Sequence, residues 1–349
     1  MDYRDTSMWK EINETPAIFG RIIGANADTM KKLVAEIKAG KSNNFVAAAR
    51  GASDHALIFF KYALEVNSNY TCGLSAPSVI TLYKGKINYS NSIVIGCSRS
   101  GKAADVLEVI KKGNDQGAIT IAVTNDTESP IAKEAKFHLF CAAGAENSVA
   151  ATKTMAAEVL VLGLLVLGLA DKYDQIPALE KIPDKLASLA TRYDEIKDLA
   201  RKISHQKNVI ILTRGPMQGI GREVALKYKE CCYVMSHFYS VSDFMHGPLA
   251  IVEEGSSVLM LAPNDECVRD YIEMATRLSL LGATVTAITD TNEVSCVSNY
   301  SFVMPEREDM ITDAVLYAFV GHILCYEIAF DKGLNPDVPR NLKKVTITK

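Results

Sequence analysis

The sequence has little that would place the protein on nucleic acid, in a membrane or outside the cell. Its formal net charge is only −3, so it carries no basic footprint for nucleic acid or an anionic membrane surface. The opening stretch, MDYRDTSMWKEI, is polar and acidic and lacks the apolar core of a signal peptide. The longest apolar run, Val159 to Ala170, is too short to span a bilayer and reads as a buried helix. The eight cysteines are scattered and form no C-x-x-C pair. No His/Cys cluster has metal-ligand spacing, and no Walker A spacing is found, so neither metal nor cofactor is expected. Reduced thiols in a cytoplasmic protein are the expectation. Hydrophobic residues at 48% and charged residues at 23% give the balance of a soluble globular chain, and 349 residues suffice for two domains.

What is present is an internal repeat. The run Phe45–Gly51 (FVAAARG) reads as a strand ending at Arg-Gly, and so does Val209–Gly215 (VIILTRG), with the glycines 164 residues apart. Ser92–Cys97 (SIVIGC) pairs with Ser256–Leu261 (SSVLML) at the same offset, and Ala118–Asn125 (AITIAVTN) with Ala283–Asp290 (ATVTAITD) at 165. Three matches at offsets of 164 to 165 residues argue for a duplicated domain. The strands are continuous apolar runs, as when both sheet faces are buried. Helical patterns such as Ala103–Lys112 and Cys267–Leu281 lie between them. The expectation is an α/β protein of two tandem domains, each a parallel sheet flanked by helices in three α/β/α layers, flavodoxin-like or Rossmann-like. The divisions are an N-terminal arm 1–29, domain one over 30–172, a linker 173–199, domain two over 200–333 and a tail 334–349.

Ligands of such sheets bind beyond the carboxyl ends of the strands, which directs attention to six segments. Cys97–Lys102 (CSRSGK) follows a strand and opens a helix. Ser98 and Ser100 offer hydroxyls, Gly101 allows close backbone approach, Arg99 and Lys102 add charge, and the helix N-terminus supplies free amides. A plain N-cap turn explains the same residues about as well. Arg50–His55 (RGASDH) brings Gly51, Ala52 and Ser53 after a second strand, where Ser53 or Asp54 serves equally as an N-cap. Gly144–Thr154 is a small-residue entrance to an apolar helix. In Gly221–Tyr233, Glu223, Lys227 and Glu230 share one helix face, which alone reads better as a solvated face with Glu–Lys pairs. His246 precedes Gly-Pro and a strand-like apolar run; its pKa range suits proton transfer, though a lone histidine is more often structural. Asn335–Lys344 (NPDVPRNLKK) is a proline-stiffened basic tail that reads either as a site cover or as a solvated terminus.

Together these segments resemble the isomerase half of glucosamine-6-phosphate synthase, built from two sugar-isomerase (SIS) domains. The resemblance runs over nearly the whole chain. ALKYKE at 225–230, HGPLAIV at 246–252 and NPDVPRNLKK at 335–344 are its most specific pieces. It implies that Ser53, Ser98 and Ser100 hold a phosphate and that Val149 lines the sugar pocket. It implies further that Lys227 is a site lysine, that Glu230 moves a proton between C1 and C2, and that His246 opens the ring from the neighbouring subunit. Lys344 becomes the imine-forming lysine, and a homodimer with shared sites follows. The glutaminase domain of that family is not seen here, so ammonia transfer from glutamine is not expected. Where the synthase has Gln, Glu and Thr, this chain has Arg99, Lys102 and Ala103; Ala151 replaces a serine, and Lys343 stands where an alanine is usual. The expected activity is that of a sugar-phosphate isomerase or deaminase on an amino-sugar or ketose 6-phosphate. Alternatives are a fructosamine-6-phosphate deglycase, whose substrate carboxylate would suit Arg99 and Lys102, a simple aldose–ketose isomerase, and a non-catalytic sugar-phosphate sensor.

Overall fold

A computed structural model describes residues 5–344. The chain divides into two compact units. One comprises residues 13–184 with tail residues from 343 onward; the other comprises the N-terminal residues through 12 with 185–342. Helix α1 (Ser7–Ala39) runs uninterrupted through the expected arm boundary at residue 29.

In the first unit the order is β1 (Asn44–Ala48), α2 (Ala52–Asn67), β2 (Thr71–Leu74), α3 (Ser78–Thr81), β3 (Ile93–Ser98), α4 (Ala104–Asp115), β4 (Ile119–Thr124), α5 (Pro130–Glu134), β5 (Phe137–Phe140) and α6 (Lys153–Leu169). The five strands form one parallel sheet in the order β2-β1-β3-β4-β5. Val94 and Ala122 pack with Val106, Val109 and Ile110 of α4. Their strand neighbours Ile93, Ile95, Ile121 and Val123 are also fully buried. Alternate side chains point to opposite faces, so both faces are covered, which is why these strands read as unbroken apolar runs. Helix α6 is buried along its whole length and packs against α2. The one carboxylate in its apolar body, Glu158, is bonded by the Ser53 hydroxyl at 2.9 Å.

Three helices, α7 (Ile176–Leu179), α8 (Ile182–Thr191) and α9 (Tyr193–Ile203), occupy most of the stretch 173–199. The second unit then contains β6 (Asn208–Thr213), α10 (Gln218–Cys232), β7 (Met235–Ser240), α11 (Val241–Met245), β8 (Ser257–Ala262), α12 (Val268–Leu280), β9 (Thr284–Thr289), α13 (Asn292–Cys296), β10 (Tyr300–Val303) and α14 (Met310–Asp331). Its parallel sheet runs β10-β9-β8-β6-β7. Read from the other edge, this is the order of the first sheet, so the duplication extends from local sequence to topology. Helix α14 is long and apolar enough to cross a membrane by composition alone, but 94% of that window is buried inside the protein. It is a core helix, apolar on every side because α9 and α10 pack on it. The run after His246, expected to be strand-like, is a 3₁₀ turn over Pro248–Ile251. Pro248 cannot donate to a ladder, and its ring fixes a turn-compatible φ at the first position.

Candidate active site

The strand order 2-1-3-4-5 reverses direction between β1 and β3, and ligands of such sheets sit at that switch point. The two turns leaving β1 and β3 are Arg50-Gly51 and Arg99–Ala103. Each opens a helix, and neither helix has a side-chain cap. Gly51 (φ +57°) and Ala103 occupy the N-cap positions. Ser53, Asp54 and Ser100, the sequence-level candidates for capping, do not occupy the N-cap positions. Two adjacent helices thus open at the switch point with N-cap residues that supply no side-chain cap, an arrangement that can take an anion. Asp54 and Asp105 lie in their first turns, and Asp105 Oδ1 accepts from the Val106 amide at 3.0 Å.

The turns are rigid. Arg50 Nε donates to Asp105 Oδ2 at 2.8 Å, tying the first turn to the buried carboxylate in the first turn of α4. Gly101 sits at φ +61°, and a Cβ there would lie 2.0 Å from Ser129 Oγ, so only glycine fits. Among the described residues, the hydroxyls of Ser98 and Ser100 have no hydrogen-bond partner. Ser53 is buried, and its hydroxyl proton goes to Glu158, leaving its lone pairs and the helix amides as what it can offer a ligand. Cys97, between these groups, is held as a neutral thiol: burial pushes it up, and the nearby Glu158 adds to the shift. Lys102 is exposed.

Arg99 is placed differently from a ligand-facing cation. Its Nη1 lies 3.4 Å from Glu146 Oε2 and 3.3 Å from the carbonyls of Ser148 and Val149. Its Nη2 donates to the carbonyl of Lys344 at 3.1 Å. Glu146 is buried, and its other oxygen accepts from the amides of Thr152 (2.9 Å) and Thr154 (3.3 Å) at the start of α6. Lys344 Nζ reaches Asn147 Oδ1 at 3.5 Å. The unit thus brings together Gly51, Ala52, Ser53, Ser98, Ser100, the loop bearing the half-buried Val149, and Lys344. Lys343 and Lys344 are both exposed.

In the second unit, α10 carries Glu223, Lys227 and Glu230. The solvated-face reading of this trio fails: Lys227 and Glu223 side chains are 1% and 0% exposed, and Glu230 19%. Lys227 Nζ lies 3.0 Å from Glu223 Oε1 and 2.7 Å from Glu230 Oε2. The helix is drawn tightly over the sheet, because a Cβ on Gly221 would clash with Phe238 and Thr213. Burial alone would lower the Lys227 pKa, but Glu223 and Glu230 hold it above the ordinary lysine range. Lys227 is therefore held as a cation between the two carboxylates. His322 of α14 adds its Nε2 at 3.5 Å from Glu223 Oε1, a partner that no local sequence signal announced. His246 ends α11, exposed, and among the described residues its ring has no hydrogen-bond or ionic partner. Gly247 follows at φ +128°, a conformation for which Gly is the usual residue, and fixes the turn beside it. The tail is anchored within this unit: Asp337 accepts from the Ser7 and Met8 amides at 2.6 and 2.9 Å, and the Arg340 amide donates to Tyr233 Oη at 2.9 Å.

The SIS domain family matches residues 40–168 and 202–329. Glutamine–fructose-6-phosphate aminotransferase (isomerizing) of Thermococcus kodakarensis is 30% identical over 97% of this chain, which spans 58% of that protein's length. A phosphosugar isomerase structure from Silicibacter pomeroyi is 29% identical, with a TM-score of 0.85 over 95% of this chain and 100% of the other. Glucosamine-6-phosphate deaminase of Thermotoga maritima, 20% identical with a TM-score of 0.75 over 98% of this chain and 100% of its own, shares the fold. Two matched segments, each holding one of the two like-ordered sheets, place this chain in the SIS domain family, as tandem copies homologous to the isomerase half of glucosamine-fructose-6-phosphate aminotransferase.

Proposed function

We propose that the protein is a phosphosugar isomerase or amino-sugar-phosphate deaminase acting on a sugar 6-phosphate. What supports this reading is the pair of helix N-termini at the sheet's switch point whose N-cap residues, Gly51 and Ala103, supply no side-chain cap, with Ser98 and Ser100 beside them. Phosphate anchored there fixes the substrate's orientation, which lowers the entropic part of the barrier. His246 assists ring opening, and Glu230, held by Lys227, shuttles the proton between adjacent carbons through an enediol or enolamine. Lys344 stabilises the oxyanion or forms the imine. With an amino group on C2, the product imine hydrolyses and ammonia leaves; with a hydroxyl, the outcome is isomerisation.

A fructosamine deglycase is less well supported by the geometry than by the composition of the turn. The guanidinium of Arg99 is committed to Glu146 and to three carbonyls, which leaves Lys102 as the exposed cation of that turn. A homodimer is part of the proposal. His246 lies on an exposed stretch with Met245 and Ile251, 47% and 54% exposed, a surface that a second copy would cover.

The test is a panel of hexose, hexosamine and fructosamine 6-phosphates followed for ketose, ammonia and free amine, with the particle mass measured by light scattering. Turnover of a hexose or hexosamine phosphate is expected, and Glu230→Gln should reduce it at least ~10²-fold while phosphate still binds. Binding without turnover across the panel would make the protein a sensor. A monomeric mass under turnover conditions would remove the shared-site part.

A further inference from the structure

We infer that Arg99 is the latch that holds Lys344 in place, and is not a ligand of the substrate's anionic groups. This deepens the reading above, since it rests on Lys344 taking part in the chemistry. Glu146 is buried with its side chain 1% exposed, and Arg99 is the cation that faces it. A carboxylate stripped of water needs such a partner, so the guanidinium cannot swing toward a substrate without stranding it. Glu146 in turn ends the backbone of the loop at α6 by accepting the Thr152 and Thr154 amides. The planar fork of Arg99 then has one terminal nitrogen on Glu146 and the carbonyls of Ser148 and Val149, and the other on the carbonyl of Lys344.

The consequence is mechanical. Arg99 belongs to the turn that opens α4, so the phosphate turn, the sugar-side loop and the tail lysine are joined through one side chain. The Lys344 main chain is gripped at 3.1 Å while its ammonium rests near Asn147 at 3.5 Å, a weaker hold that a substrate carbonyl can displace. A tail terminus that is otherwise exposed gains a defined position. A lysine at 99 would supply the charge for Glu146 but not the fork, because an ammonium is a point donor. Arg99 is thus a positioning residue for Lys344.

Arg99→Gln and Arg99→Lys test this; the lysine variant keeps a cation for Glu146 and so preserves the fold. Two readouts need no turnover. The rate of tryptic cleavage after Lys343, followed by intact mass, should rise ~10-fold in both variants, the cost of losing a charged hydrogen bond. The affinity for inorganic phosphate should stay within ~3-fold of the parent, since no phosphate ligand has been removed. On any sugar phosphate that is turned over, kcat should fall with little change in KM. Unchanged tail cleavage in both variants overturns the latch, and so does a tenfold or greater loss of phosphate affinity in Arg99→Lys. If the panel shows no turnover at all, the first two readouts still decide the question.

Discussion

At the scale of single residues, burial decides what a charged side chain does. Glu223, Lys227 and Glu230 form a common surface pattern in sequence, yet Lys227 lies in the interior between two carboxylates. Such a lysine is a structural cation, and removing one partner of a buried ion pair costs about 3–5 kcal/mol. Lys227→Met is therefore expected to lower the melting temperature and to cut turnover ~10²-fold by releasing Glu230. Adding Glu223→Gln should restore much of the stability without restoring activity. Thermal melts and initial rates on the same samples separate the two effects; full recovery of rates in the double variant would show that Lys227 serves the fold alone. The turns after β1 and β3 were legible in sequence as strand-to-helix junctions, because glycine and serine directly after an apolar run mark such a turn. Arg99 was visible as a cation but not as a latch, since its partners Glu146 and Lys344 lie 47 and 245 residues away. His322 and Glu158 were invisible as partners for the same reason, although a lone carboxylate in the apolar body of α6 was a signal that something would meet it.

At the scale of elements, long apolar strands and amphipathic helices followed from periodicity, and short edge strands did not. β2, β5 and β10 have four residues each and mix polar with apolar positions, because one side of an edge strand faces no neighbour. Helix α14, apolar along its buried length, also carries a destabilising carboxyl. Burial raises the Glu327 pKa to about 8, and nearby Asp331 adds to the shift. Its Oε1 has no hydrogen-bond partner among the described residues. The folded protein therefore binds this proton more tightly than the unfolded chain does. That contribution to stability is complete below the ordinary carboxyl range near 4.5 and is lost as pH rises through about 8. Glu327→Gln should leave the melting temperature at pH 5 nearly unchanged and raise it by a few degrees at pH 8. A variant that melts lower than the parent at pH 8 would show that the carboxylate has a partner worth more than its burial costs.

At the scale of the whole molecule, duplication was the most legible feature. A nearly constant offset between three pairs of strand-like runs foretold two sheets of like strand order. The copies have diverged in charge. Where the first carries Ser98-Arg99-Ser100-Gly101 at the end of its central strand, the second has Ala262-Pro263-Asn264-Asp265, with alanine and asparagine in place of the two hydroxyls and an acidic side chain in place of the glycine. The first unit keeps the anion turns and receives Lys344, while the second keeps the Glu230 helix and His246. On the proposed function, two copies of one fold divide phosphate binding and proton transfer between them, and this division is the central proposal.

Its most direct test is hydrogen exchange from solvent. The protein is incubated in deuterium oxide with fructose 6-phosphate and, separately, glucosamine 6-phosphate, and NMR follows label entering C1 or C2. The account predicts deuterium at one of these carbons with the parent protein. It also predicts loss of that label in Glu230→Gln, while inorganic phosphate still binds the variant. Label that enters as fast with the variant as with the parent would contradict it.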